Sequence, residues 1–183
     1  MTRTLASHAP PMKGYFAIGV QSISKAHNVG NLLRTSHAFG ASYFFTVGAT
    51  YKKKDLRESD TSGAVTNIPV HEFESISEFK IPVGAKLVGV ELTPDAVDLP
   101  SFRHPRQAIY ILGPEGGNLS PEIIAKCDYT VKIPMRFCVN VGVAGALVMY
   151  DRLVSLGRQA PRPVAEGGPL QPGPCPEPTE KVL

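Results

Sequence analysis

The 183-residue chain contains no apolar run of the roughly 18–20 residues that a helix needs to cross a bilayer, so no membrane span is expected. The first residues, MTRTLASHAPPMKG, carry no apolar stretch behind their charges and do not read as a secretory signal, which points to the cytoplasm. Cysteine is scarce. Cys127, Cys138 and Cys175 are odd in number and none lies in a CxxC arrangement, which argues against a disulfide framework and a zinc cluster. The five histidines are scattered without a ligand pair, so a reduced, metal-free protein is expected. No GK[ST] triplet follows a glycine-rich loop and no GxGxxG is present, which disfavours a P-loop enzyme and a nicotinamide enzyme. No internal repeat is found. Charge is balanced to a net +3, with a pI near 8.8. That permits a nucleic-acid partner without requiring one. Weak basic clusters stand at Lys52, Lys53, Lys54 and Arg57, and at Arg103 and Arg106; the alternative for each is a solvated loop.

What is present is the composition of a globular domain, 43% hydrophobic and 19% charged. Short apolar runs read as strands at Tyr15–Val20, Tyr43–Val47, Lys86–Leu92, Gln107–Leu112 and Tyr129–Ile133, with a brief extended stretch from Val70. The run QAIYIL at 107–112 lacks alternation, as expected of a strand buried on both faces. Helical spacing appears at Val29–Phe39, with Asn28 as its cap and Gly40 as its stop. A short helix is expected at Glu74–Phe79 and another at Pro121–Lys126 behind the cap Ser120. A long one is expected at 139–157, apolar on most sides and so buried on more than one face, with Gly142 and Gly145 tolerated where another backbone comes close. Strands alternating with helices indicate one α/β domain with a mainly parallel sheet. The expected organisation is an extension over 1–14, the domain over 15–157, and a tail over 158–183. Residues 160–183 hold seven prolines and no periodicity.

Three segments carry possible chemistry. In Asn28-Val-Gly-Asn31-Leu-Leu-Arg34, the stripe Val29, Leu32, Leu33 and Ser36 leaves Asn31 and Arg34 on the opposite face, with Asn28 beside them at the helix start. Amide and guanidinium groups there suit a phosphate or ribose; the alternative is a solvated face. In Ile111-Leu112-Gly113-Pro-Glu115-Gly-Gly117-Asn118, three glycines and a carboxylate directly follow the buried strand. The carboxyl end of a parallel strand is where ligands of open α/β sheets bind. In Ile133-Pro-Met135-Arg-Phe-Cys138-Val139-Asn140, a strand ends and the buried helix begins; Asn140 falls in its first turn, where capping is the plainer reading.

In order and spacing, these segments resemble the three signature motifs of the SpoU/TrmH family of RNA ribose methyltransferases, over roughly residues 15–157. Asn28, Gly30 and Arg34 match the NxGxxxR helix. Gly113 to Gly117 match the GPEGxG loop, and Ile133, Pro134, Met135, Asn140, Val141 and Ala144 match the IPM…SLNVSVA segment. Two departures stand in the third motif: its loop is shorter, with only Arg136 and Phe137 between Met135 and Cys138, and Cys138 and Val139 replace serine and leucine. The resemblance implies an α/β sheet with a C-terminal trefoil knot, S-adenosylmethionine as cofactor, tRNA or rRNA as substrate, and a homodimer whose partner helps build each site. It implies a cofactor site near Leu92, Leu112, Gly113, Gly117, Ile133, Met135, Cys138 and Val139. It implies catalytic roles for Arg34, Asn28, Glu115 and Asn140. Arginine is a poor base, so Arg34 is expected to bind phosphate and stabilise a developing alkoxide, with Asn28 and Glu115 orienting it or the ribose. A catalytically silent RNA-binding protein on the same fold is the alternative.

Overall fold

The structure, a computed structural model, describes residues 14–51 and 64–156. The lysine cluster at 52–57, most of the N-terminal extension and the proline-rich tail lie outside the described residues. The elements run β1 (Tyr15–Gln21), α1 (Ala26–Ala38), β2 (Tyr43–Val47), α2 (Ala64–Asn67), β3 (Val70–Phe73), β4 (Lys86–Val90), β5 (Val97–Asp98), a 3-10 turn (Leu99–Ser101), β6 (Gln107–Leu112), α3 (Pro121–Lys126), β7 (Tyr129–Lys132) and α4 (Val141–Leu156). The strands form one sheet in the order β3-β2-β1-β6-β4-β7-β5, and every neighbouring pair is parallel.

The sheet is covered on both faces. Ala108, Tyr110 and Leu112 of β6 pack into the layer that holds Val29, Leu32 and Leu33 of α1 and Val148 and Met149 of α4. Ile109 and Ile111 face the opposite layer, with Leu119 and with Ile123 of α3. That two-sided burial is why β6 reads as an unbroken apolar run. The Ser120 side chain accepts the Ile123 N–H, and Gly40 takes a left-handed φ of 73° just beyond α1, as the sequence implied.

Three local readings are corrected. α1 starts at Ala26 behind Lys25, so Asn28 is not its cap but a buried residue of its first turn. Glu74–Phe79 forms turns rather than a helix. The Glu78 carboxylate takes the Glu74 N–H (3.1 Å), and Phe79 stacks on Phe45 at 5.0 Å, so local side-chain bonds and an aromatic anchor win over helix formation. Within this chain α4 is buried along one side only; Val143, Leu147 and Tyr150 on the other are exposed. The close approach expected at Gly142 and Gly145 is made by α1: a Cβ on Gly145 would collide with Leu32 Cδ1, and one on Gly142 would stand 3.5 Å from Asn31 Cβ. β5 went unread because two exposed residues carry no period.

At the edge where the strands begin, Arg152 of α4 is fully buried. Its Nη1 donates to the Tyr110 hydroxyl oxygen (3.2 Å), Tyr110 lies 2.6 Å from His104 Nδ1, and His104 Nε2 lies 2.9 Å from Asp151 Oδ2. This chain is consistent in one direction: Tyr110 donates to an unprotonated Nδ1, and a neutral imidazole donates from Nε2 to Asp151. Burial lowers the His104 pKa below its ordinary 6.5, and the Arg152 charge adds to this against the opposing pull of Asp151. The unfolded chain therefore binds the proton more readily. The stability this network gives is fully present above about pH 6.5 and is lost as pH falls below it. Urea midpoints measured between pH 8 and 5 are expected to drop below that point in the native chain and to drop less in His104→Gln. An equal pH slope in both would remove His104 as the cause.

Candidate active site

The loops after β6, β4 and β7, three adjacent strands, meet the first turns of α1 and α4 and enclose a cleft of about 620 Å³. Small-molecule sites run from about 300 to 1,000 Å³. The loop after β4 contributes Glu91 and Leu92, the loop after β6 contributes Gly113 to Asn118, and the segment after β7 contributes Ile133, Met135, Cys138 and Val139. Val90, Leu112, Asn28, Asn140, Val141 and Ala144 complete the wall with Lys25 and Lys132.

A polar chain runs along this wall through all three motifs. Lys25 Nζ stands 3.2 Å from Glu115 Oε2. Asn28 Nδ2 donates to Glu115 Oε1, Asn140 Nδ2 donates to Asn28 Oδ1 at 3.0 Å, and the Gly142 N–H donates to Asn140 Oδ1 at 2.8 Å. A carboxylate only accepts and a backbone N–H only donates, so the two ends fix the orientation of both amides between them. Asn140 thus immediately precedes α4, rather than lying in its first turn, and both caps that helix and reaches α1. The Lys25 side chain is 70% exposed, so its ion pair adds little to stability.

The glycines act differently. Gly116 has a φ of 74°, which a side chain rarely adopts. Gly113 is pressed by its surroundings: a Cβ there would come within 3.1 Å of both Glu91 Oε2 and Leu119 N.

Of the residues singled out from sequence, Asn28, Glu115, Asn140, Leu92, Leu112, Gly113, Gly117, Ile133, Met135, Cys138 and Val139 all line the cleft. Arg34 does not. It is exposed on α1, and Asn28 turns inward instead of standing beside it. Arg103 and Arg106 precede β6, whereas the cleft follows its end, about 20 Å away along six residues of strand. Lys25, Glu91 and Lys132 were missed. Only Glu91 gave a signal, as a carboxylate near the end of the apolar run read as a strand over Lys86–Leu92. Among the described residues no helix is long and apolar enough to cross a membrane, and no group of three His, Cys, Asp or Glu side chains is placed to hold a metal ion.

The fold and motifs have known counterparts. The chain is 26% identical over 137 residues to a tRNA (guanosine(18)-2'-O)-methyltransferase of Aquifex aeolicus, covering 71% of this chain and 64% of the relative. It is 26% identical over 140 residues to the enzyme of that name from Escherichia coli, covering 72% and 60%. The chain thus spans 60–64% of the length of these two relatives. Among solved structures, an rRNA methyltransferase from Sinorhizobium meliloti superposes with a TM-score of 0.71 at 22% identity, covering 84% of this chain and 60% of that one. The methyltransferase AviRb from Streptomyces viridochromogenes, in complex with the cofactor AdoMet, superposes with a TM-score of 0.69 at 21% identity, covering 84% and 62%. The family model described as the SpoU rRNA Methylase family matches residues 15–150, a span that begins with β1 and contains all three segments of the cleft, and the chain belongs to that family.

Proposed function

We propose that this chain transfers the methyl group of S-adenosylmethionine to a ribose 2′-hydroxyl of tRNA or rRNA. The observation that carries the reading is the hydrogen-bonded chain from Glu115 through Asn28 to Asn140, which ties the three motif segments into one wall of the cleft. The names of the two bacterial relatives and the AdoMet complex of AviRb support the same chemistry.

The cleft fits the cofactor. Its lining joins apolar surface from Leu112, Ile133, Met135 and Ala144 to the backbone of a glycine loop, and Gly113 and Gly117 are sites where a side chain would meet close neighbours. Backbone groups near Leu92, Gly113, Ile133 and Cys138 would hold the adenosine and methionine parts. When bound, the cofactor supplies an electrophilic methyl group on a positively charged sulfur. A hydroxyl is a weak nucleophile, and the chain's own contribution is to orient it and stabilise its developing charge. Glu115 fixes Asn28, Asn140 locks it from the other side, and Arg34 grips the adjacent phosphate and the alkoxide.

Arg34 stands outside the cleft of its own chain, which supports a site shared between two copies. The exposed stripe Val143, Leu147 and Tyr150 at helical spacing on α4 supports a homodimer built on that helix and α1. The strand order supports the trefoil knot, since β7 enters between β4 and β5, both earlier in the chain. On this reading residues 15–157 are the methyltransferase domain of a cytoplasmic enzyme and 158–183 are dispensable to it.

At 100 times its dissociation constant, S-adenosylhomocysteine is expected to stabilise the fold by about 2.7 kcal/mol, a rise of roughly 5–10 °C in melting temperature. No shift with this compound, alongside a shift with NAD, would contradict the proposal.

A further inference from the structure

The glycine loop leaves β6 at Gly113 and returns at Leu119 and Ser120, where α3 is capped. β6 lies between β1 and β4, and a side chain from the end of each grips the return. Glu91, directly after β4, uses both carboxylate oxygens on backbone: Oε1 accepts the Leu92 N–H at 2.8 Å and Oε2 accepts the Leu119 N–H at 2.6 Å. Gln21, the last residue of β1, accepts the Ser120 N–H on Oε1 at 2.9 Å. Leu119 and Gln21 are 4% and 7% exposed, so the bonds to Leu119 and Ser120 are partly shielded from water, where a donor left unpaired is costly, whereas the bond to Leu92 is exposed. Glu91 Oε2 also abuts the start of the loop at Gly113. One carboxylate therefore spans entry and exit of a six-residue loop whose three glycines would otherwise leave it conformationally free.

We propose that Glu91, with Gln21 opposite it, is a positioning residue that sets the cofactor affinity of the cleft by fixing the glycine loop. The inference rests on the reading of the cleft as the S-adenosylmethionine site. Glu91 lines the cleft, whereas Gln21 lies outside its lining, so an effect of Gln21 on affinity must travel through the loop. A glutamine at 91 would turn an amide N–H₂ against one of the two backbone N–H groups.

The test is calorimetric binding of S-adenosylhomocysteine to the native chain, Glu91→Gln, Gln21→Met and Gln21→Glu, with the ligand-free melting temperature of each. Methyl transfer gives KM and kcat in parallel. Glu91→Gln is expected to raise the dissociation constant and the cofactor KM by about ten- to a hundredfold, the scale of one buried hydrogen bond lost, with kcat at saturation nearly unchanged. Gln21→Met is expected to move affinity in the same direction, and Gln21→Glu, which keeps the acceptor, to stay close to native. A native-like dissociation constant in folded Glu91→Gln overturns the proposal, even if its melting temperature falls. Should Glu91→Gln not fold, a native-like constant in Gln21→Met does so. Absence of binding by the native chain would instead overturn the function proposed above.

Discussion

Replacing Arg34 by alanine is expected to lower the rate of methyl transfer by about 10² to 10³, the scale of losing one preorganised donor to a developing negative charge. Affinity for S-adenosylhomocysteine is expected to stay unchanged, because Arg34 is exposed on α1 and absent from the cleft lining. Arg34→Lys is expected to fail as well, since an ammonium cannot make the paired contacts of a guanidinium. If the site is shared, co-expression of Arg34→Ala with an Asn140→Ala chain is expected to recover part of the activity, because one cleft of the mixed dimer keeps both residues. Single-turnover rates and cofactor affinity on the same variants separate the outcomes. Full activity in Arg34→Ala would make the residue one more solvated charge, whose loss costs under about 0.5 kcal/mol in stability and nothing in rate.

The largest stability effect is expected at Arg152. Its Nη1 donates to Pro105 O at 2.5 Å, its Nη2 to Arg106 O at 2.8 Å and Tyr15 O at 3.4 Å, and the guanidinium lies over the rings of Phe16 and Tyr110 at 5.2 and 5.9 Å. It thereby fastens the end of α4 to the starts of β1 and β6. Arg152→Ala leaves three part-buried carbonyl bonds unmade and a cavity between two rings, together about 3–5 kcal/mol. Against a typical total of about 5–15 kcal/mol, that leaves a marginal fold. Arg152→Met restores volume but not the donors and is expected to recover only part of the loss. Urea denaturation measures each value. A cost under about 1 kcal/mol for Arg152→Ala would show that α4 is held by its apolar face alone.

The features legible in the sequence were those written locally. QAIYIL declared a doubly buried strand, and Ser120-Pro121 declared the start of α3, because one residue's neighbours decide each outcome. The three motif segments could be ranked as a site because glycines, a carboxylate and amides recur at strand and helix ends. Asn28 was misread as a cap because its amide is used by Glu115, 87 positions away, and by Asn140, 112 positions away. No local pattern reports such partners. Gly142 and Gly145 announced a close approach without saying that α1 makes it. Glu91 was passed over for the same reason: its partner at Leu119 becomes a neighbour only once β4 and β6 pair. Arg34 was picked out by its place on the polar face of the first helix and by the motif, and its exposure explains why the geometry of one chain does not draw it into the cleft.

The most direct test of the central claim is a methyl-transfer assay on the native chain. It is incubated with isotopically labelled S-adenosylmethionine and unmodified tRNA and rRNA, which are then digested to nucleosides and resolved by mass spectrometry. The expected result is label in a 2′-O-methylnucleoside, abolished when Asn140 is changed to alanine. Label confined to a base, or none in RNA from a chain that binds the cofactor, would contradict ribose methylation.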